Sequence, residues 1–229
     1  MRTLLAAFLA ASAPALAMPS EVTAEYQLTS AGLTIGRISE SFVRTDDTYA
    51  ISSVSRAEGI LKVLYDEQIT LKSTGRVVGA RLQPHQFEER RTKEPKRDVS
   101  ATFDWERGVL NSRFRGESSE VPLPRETQDR LSMMYQFMNM SPRAGRFVLA
   151  MSNGRKVEHY TYQLVGEPRI STPAGEFDTF HFERVTYGPK DSKAEVFLAK
   201  ERNNFPVRIV FDDARGLRVE QNIVALSAK

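Results

Sequence analysis

Hydrophobic and polar residues alternate with a period of two along most of this chain. Val22, Ala24, Tyr26 and Leu28 lie on one face of the pattern, and the polar residues between them lie on the other. The same alternation returns in five later segments, at residues 63–71, 99–105, 194–198, 207–211 and 217–223. Such alternation is typical of antiparallel strands that bury one face and expose the other.

Segments rich in Gly, Pro, Asn and Asp separate these runs, as in SAGLTIG at residues 30–36 and YGPKDS at residues 187–192. These residue types favour chain reversal because they tolerate or impose the backbone angles of tight turns. We therefore expect about ten to twelve strands. The predicted fold class is mainly β, with a large curled antiparallel sheet that forms a closed or half-open barrel.

One segment, PRETQDRLSMMYQFMNM at residues 124–140, departs from the period of two. Four of its residues have the spacing of an apolar helical stripe: Leu131, Met134, Tyr135 and Met138. Three more apolar residues widen this stripe, namely Met133, Phe137 and Met140. Thr127 is a candidate N-cap, and Pro142 ends the run. The pattern predicts one apolar helix at about 127–141 that packs against the sheet or plugs it.

Methionine is flexible and suits irregular apolar surfaces, so this helix has two interpretations. It fills gaps in the core, or it lines a cavity for an acyl chain or another apolar ligand. In the second interpretation Met134, Tyr135, Phe137 and Met138 face the ligand, and polar residues at the helix start form the rim. The candidate ligand-binding residues are Gln128, Asp129, Arg130, Leu131, Met134, Tyr135, Phe137 and Met138.

The first 17 residues resemble a secretory signal peptide. Arg2 is followed by an apolar run, and Ala15–Ala17 has the small-residue pattern of a cleavage site. We expect cleavage after Ala17, one mature domain over residues 18–229, a periplasmic location and no later transmembrane segment. The chain has no cysteine, which excludes a lipid-anchored cysteine, disulfides and thiolate chemistry.

The formal charge of the chain is +3, and its densest charged run is EERRTKEPKRD at residues 88–98. Five bases and four acids are interleaved there. Interleaved charges indicate a solvated hairpin tip or edge strand. A nucleic-acid site would cluster one sign of charge with aromatic residues, so no nucleic-acid partner is expected.

The sequence contains no recognisable catalytic or metal-binding motif. His85, His159 and His181 have none of the spacings of common metal sites, although His159 and His181 could approach each other across a sheet. Asp129 and Ser132 are one helical turn apart, but no histidine is near in sequence to act as a base. We predict no catalytic residue, no metal site and no cofactor.

Several segments resemble the DUF3108 family of exported Gram-negative proteins of unknown function. They are QDRLSMMYQF at residues 128–137, ISTPAGEFDTFHFERV at 170–185, NNFPVRIVF at 203–211, and Tyr26 with the following GLTIG at 32–36. The resemblance implies one β-rich periplasmic domain, and it brings no assigned activity or catalytic residue.

Three functional hypotheses follow. The first is a non-enzymatic periplasmic protein that binds an apolar or amphiphilic, lipid-like ligand in cell-envelope maintenance. The second is a protein–protein interaction module of envelope assembly that uses an exposed sheet edge or the 88–98 hairpin. The third is a hydrolase of envelope polymers, with carboxylates brought together from different strands.

Overall fold

The structure of the chain, a computed structural model, describes residues 18–213 and 216–229. The predicted signal peptide lies outside these residues. The described residues form sixteen strands: β1 Glu21–Ser30, β2 Leu33–Thr45, β3 Thr48–Ala57, β4 Gln68–Val78, β5 Arg81–Arg91, β6 Val99–Asp104, β7 Val109–Phe114, β8 Glu117–Pro122, β9 Gln128–Asp129, β10 Arg146–Ser152, β11 Val157–Gly166, β12 Arg169–Thr172, β13 Gly175–Arg184, β14 Lys193–Ala199, β15 Phe205–Asp212 and β16 Arg218–Ala228. Most of the excess over the predicted ten to twelve comes from β8, β9 and β12, which are short and carry little hydrophobic alternation.

The strands form one large sheet, as the alternation predicts. Strands β1 to β8 follow each other as an antiparallel meander, and β16 pairs with β1 to join the second half of the chain to the first. Beyond β16 the order continues through β15, β14, β13, β11 and β10 to β9, and β12 pairs only with β13. The pairs are antiparallel except for β9 and β10, which run parallel.

The sheet curls but does not close, because its two end strands, β8 and β9, do not pair with each other. Side-chain contacts cross the gap instead. The Ser112 hydroxyl on β7 donates to the carbonyl of Gly154 in the β10–β11 turn, at 2.6 Å. Gly154 has a φ of +83°, and a Cβ there would lie 2.6 Å from Val99 Cγ1. This turn therefore needs glycine for its conformation and for its close approach to the facing strands.

Two hydrophobic clusters fill the inside of the curled sheet. The first cluster includes Tyr26, Phe42 and Phe87 from the meander and Phe205 from the second half of the chain. The second is formed by residues of β10, β11, β13 and β14 together with Phe137. The methionine-rich segment lies between them, so it is buried on more than one side, as its wide apolar surface predicts.

The predicted helix at 127–141 is wrong in its bounds. The α-helix α2 spans only Ser132–Gln136, followed by 3₁₀ turns at Phe137–Asn139 and Pro142–Ala144. The Thr127 hydroxyl donates to the Pro124 carbonyl at 2.7 Å and does not cap the helix. The helix starts late because side chains of the preceding residues bind the backbone locally, which competes with helix formation.

A second short helix, α1 at Gly59–Leu64, replaces the predicted start of a strand at residue 63. It leaves Val63 82% and Leu64 72% exposed. Six residues are too few for a periodic pattern to be recognised, and its valine and leucine also suit a strand. Within the described part of the chain, neither α-helix has the length and apolarity needed to cross a bilayer.

Candidate functional site

Asp129 is a buried carboxylate that fixes the start of α2. Its Oδ1 accepts hydrogen bonds from the backbone N–H groups of Leu131 and Ser132, at 2.8 and 2.9 Å. Its Oδ2 accepts from the Ser73 hydroxyl on β4 at 2.5 Å. Burial raises the pKa of Asp129 above its ordinary value, and these hydrogen bonds oppose that rise. Asp129 is therefore fully buried, whereas its predicted position was at the rim of a cavity.

Gln128 and Gln136 hold this segment against the start of β5. The Gln128 side chain donates to the Leu82 carbonyl at 2.8 Å, and the Gln136 side chain accepts from the Leu82 N–H at 3.0 Å. Strand β6 pairs with β5 only at residues 86–89, so this edge of β5 is free of β6 at Leu82. The two glutamines therefore take the place of a neighbouring strand.

Arg130 points away from both glutamines. Its guanidinium pairs with Glu89 on β5 at 3.0 Å. Glu89 is buried and also pairs with Arg91, at 2.6 Å. Arg130 thus completes a charge network on β5, which differs from the predicted rim position beside a cavity.

The apolar candidate residues are packed in the core. Leu131, Tyr135 and Met138 belong to the first cluster, and Phe137 belongs to the second. Met134 is partly buried and contacts both clusters. The Tyr135 ring stacks on Phe42 with 4.7 Å between centroids. This packing agrees with a core helix, and the ligand role of these side chains stays a prediction.

Glu40 on β2 is a second buried carboxylate, and it lies close to Tyr135. Burial raises its pKa to about 7, and the hydroxyl groups of Tyr135 and Ser53 oppose the rise. The Tyr135 hydroxyl lies near Glu40 but makes no hydrogen bond of good geometry among the described residues.

Two adjacent clefts open beside Gln128, at the end of the curled sheet where β5 begins. The larger has a volume of about 610 Å³, and its walls include Val78, Leu82 and Trp105. The smaller has a volume of about 330 Å³, and its walls include Met140, Val148, Leu149 and His159. Four residues line both clefts: Arg81, Arg125, Glu126 and Gln128.

The polar groups around the two clefts are unequally partnered. Arg81 pairs with Glu126, whereas Arg125 has no carboxylate partner within the described part of the chain. Two buried atoms also lack hydrogen-bond partners among the described residues, Gln128 Oε1 and Asn139 Nδ2. Unpaired buried polar atoms are uncommon in folded proteins, and they often mark a functional position. Together these groups place an unpaired cation at the clefts and two unsatisfied polar atoms buried beside them.

Of the predicted site residues, Gln128 lines the clefts. Three other lining residues were not predicted from the sequence: Arg81, Arg125 and Trp105. Trp105 is the single tryptophan of the chain, and this could have marked it in the sequence as a candidate binding residue. Its indole N–H donates to the Pro84 carbonyl at 2.7 Å, which fixes the ring beside the cleft. The arginines gave no signal because Arg81 and Arg125 are far apart in sequence and the fold alone brings them together.

A separate group of possible metal ligands lies on the outer face of β13 and β14. His181, Glu183 and Glu195 place their ligand atoms within 4.8 Å of one another. The His181 ring nitrogen already contacts Glu195 at 3.0 Å, and Arg218 contacts the same carboxylate at 3.5 Å. A cation at this position would have to compete with Arg218.

The family model of a protein of unknown function, DUF3108, matches residues 25–221. The chain belongs to the DUF3108 family. This confirms the resemblance carried by QDRLSMMYQF and the later motifs, and it assigns no activity. No curated protein has significant sequence similarity to this DUF3108 chain.

One solved structure supports the fold. The DUF3108 chain is similar to a β-barrel-like DUF1849 protein from Brucella abortus, with a TM-score of 0.60, 13% identity, and coverage of 93% of this chain and 99% of that one. It also matches a protein with a YmcC-like fold from Bacteroides fragilis, with a TM-score of 0.41, 11% identity, and coverage of 91% and 96%. At this identity the first match supports a barrel-like architecture for this chain and leaves the function open.

Proposed function

We propose that the protein is a non-enzymatic binding protein of the cell envelope that holds an amphiphile with an apolar chain and an anionic head group. The binding site is the pair of clefts beside Gln128. The observation that carries this proposal is the unpaired Arg125, which lines both clefts and lies beside the mostly apolar walls of the larger one. The envelope location rests on the signal-peptide pattern of residues 1–17.

The larger cleft suits the apolar chain. Its volume of about 610 Å³ is within the range of small-molecule sites, roughly 300–1,000 Å³. Leu82 is buried at its base, and Val78 remains 55% exposed at its edge. Contact with a ligand chain would remove the exposed apolar surface of Val78 and Trp105 from water, which stabilises the complex.

Arg125 suits the anionic head group. A guanidinium can donate two parallel hydrogen bonds to a carboxylate or phosphate. Glu126 pairs with Arg81, which leaves Arg125 as the available cation shared by the two clefts.

The non-enzymatic part of the proposal is supported by the surroundings of Asp129 and Ser132. Both side chains are fully buried, and the Ser132 hydroxyl accepts from the Asp129 N–H at 2.9 Å. A nucleophile must meet its substrate and a base. This pair instead bonds to its own backbone, which suits a structural role.

The test uses Trp105 as an internal probe, because it is the only tryptophan and lines the larger cleft. The mature protein is titrated with dodecanoate and with dodecanol while tryptophan fluorescence is recorded. We expect a saturable blue shift, with dodecanoate binding more tightly. Arg125→Glu should weaken dodecanoate binding about tenfold or more and leave dodecanol binding unchanged.

Arg143→Glu is the matched control, since Arg143 is exposed and lies outside both clefts. Equal losses in the two variants would mean that net charge, and not Arg125, attracts the ligand. Native mass spectrometry of protein purified gently from the periplasm gives a second readout. Absence of both a fluorescence change and a co-purified amphiphile would overturn the proposal.

A further inference from the structure

A basic groove lies beyond the other end of β5, remote from the clefts that surround its first residues. It has a volume of about 950 Å³. Its charged lining comprises six bases and two acids: Arg90, Lys93, Lys96, Arg97, Arg113, Arg115, Glu94 and Asp98. The bases come from the end of β5, from the β5–β6 connection, and from β7 with the turn that follows it. The fold thus brings positive charge together in the groove, whereas the 88–98 run taken alone has nearly balanced charges.

The acids of the 88–98 run are already engaged. Glu88 pairs with Arg90, and Glu89 is buried against Arg91 and Arg130. Glu94 and Asp98 have partners of their own within the same run.

Glu94 pairs with Arg97 at 2.6 Å. Asp98 accepts the Arg91 N–H at 2.8 Å and lies 3.7 Å from Arg90. The acids of this run therefore pair with its arginines, and its lysines have no carboxylate partner among the described residues.

Four cations of the groove have no carboxylate partner within the described part of the chain: Lys93, Lys96, Arg113 and Arg115. All four are exposed. The Arg115 guanidinium lies 5.1 Å from the centre of the Phe114 ring, and Arg155 covers the same ring at 3.9 Å. These contacts hold Arg115 beside the groove without neutralising it.

We infer that this groove binds a ligand that carries two or more phosphate groups. A single phosphate brings at most two negative charges, whereas four unpaired cations line one concavity. Ligands with several phosphates match that excess, and both arginine and lysine are common phosphate partners. The groove is concave, which favours a discrete polyanion over a flat membrane surface. This inference is independent of the proposed amphiphile site, because none of these four cations lines the clefts.

The test is calorimetric titration of the mature protein with tripolyphosphate and, separately, with inorganic phosphate. We expect tripolyphosphate to bind at least about tenfold more tightly, and its affinity to fall as salt is raised. The triple variant Lys93→Gln, Lys96→Gln and Arg113→Gln should lose at least about tenfold in affinity. The matched control Lys62→Gln, Lys190→Gln and Lys193→Gln removes the same charge from exposed positions elsewhere and should bind normally.

Circular dichroism of both triple variants checks that they are folded. Equal weakening in groove and control variants would show that binding follows net charge and would overturn the inference. So would binding to phosphatidylglycerol vesicles without any binding of tripolyphosphate, since the partner would then be a membrane surface.

Discussion

Asp129 and Glu40 are two buried carboxylates in the same curled sheet, and they differ in the donors that face them. Asp129 accepts two backbone N–H groups and one hydroxyl. Glu40 faces the hydroxyl groups of Ser53 and Tyr135, and burial raises its pKa to about 7. The first carboxylate therefore holds a segment in place, whereas the second can change its charge near neutral pH.

The difference shows how the same residue type becomes structural or titratable. Donors fixed by the backbone compensate a carboxylate for the water it loses. Hydroxyl groups at the ends of side chains compensate it less, so the charged form of Glu40 is costly. The following experiments test the structural role of Asp129, the titration of Glu40, and the separate role of Arg130 beside Asp129.

The largest effect is expected at Asp129. Asp129→Ala would leave the N–H groups of Leu131 and Ser132 and the hydroxyl of Ser73 without their acceptor inside the protein. We expect the free energy of unfolding to fall by about 3 to 5 kcal/mol in a urea titration. Asp129→Asn is the control, because its carbonyl oxygen can still accept both N–H groups, and it should cost about 1 kcal/mol. A fully stable Asp129→Ala variant would mean that this carboxylate is not structural.

The next effect concerns pH and Glu40. Its pKa is raised from 4.5 to about 7 in the folded protein. The folded protein therefore binds more protons than the unfolded chain between these values, and stability falls as pH rises through this window. Protonated Glu40 contributes about 3 kcal/mol to the free energy of unfolding. This contribution is fully present below about pH 4.5 and is lost above about pH 7.

Glu40→Gln should remove this part of the pH dependence, since the amide cannot ionise. Tyr26 and Tyr135, the other titratable groups that face Glu40, have pKa values raised well above 10 by burial and stay neutral in this range. Burial also raises the pKa of Asp129, which adds a slope of the same sign to both proteins. Urea titrations at several pH values measure the difference, and identical slopes for variant and parent would contradict the assignment.

The strands, and the burial of the methionine-rich segment, could be predicted from sequence because hydrophobic periodicity is a local signal. Val22, Ala24 and Tyr26 are all buried, as their alternation indicates. The parallel pairing of β9 with β10 could not be predicted, because a strand of two residues has no period. The pairing of β1 with β16 likewise depends on contacts between the two ends of the chain.

The site was harder to predict because its charges are partnered by residues distant in sequence. Asp129 resembles a solvated residue at a helix start, and only the position of Ser73 on β4 shows that it is buried and bonded. The run at 88–98 is balanced in sequence, yet Arg113 and Arg115 join its lysines in space. Gln128, which lines both clefts, was among the predicted residues because it is adjacent to a recognisable helical pattern, whereas Arg125 and Trp105 had no such neighbour.

The smallest effect is expected at Arg130, which lies beside Asp129 in sequence but is not part of its hydrogen-bond network. Arg130 is 45% exposed, and its partner Glu89 keeps Arg91 at 2.6 Å when Arg130 is removed. Arg130→Ala should therefore lower the free energy of unfolding by less than about 1 kcal/mol. Arg91→Ala is the comparison, because it removes the closer partner of a buried carboxylate and should cost about 3 kcal/mol. A loss of unfolding free energy at Arg130 as large as that at Asp129 would show that the two residues act as one structural unit. The hydrogen bonds to Asp129 would then not explain its structural role by themselves.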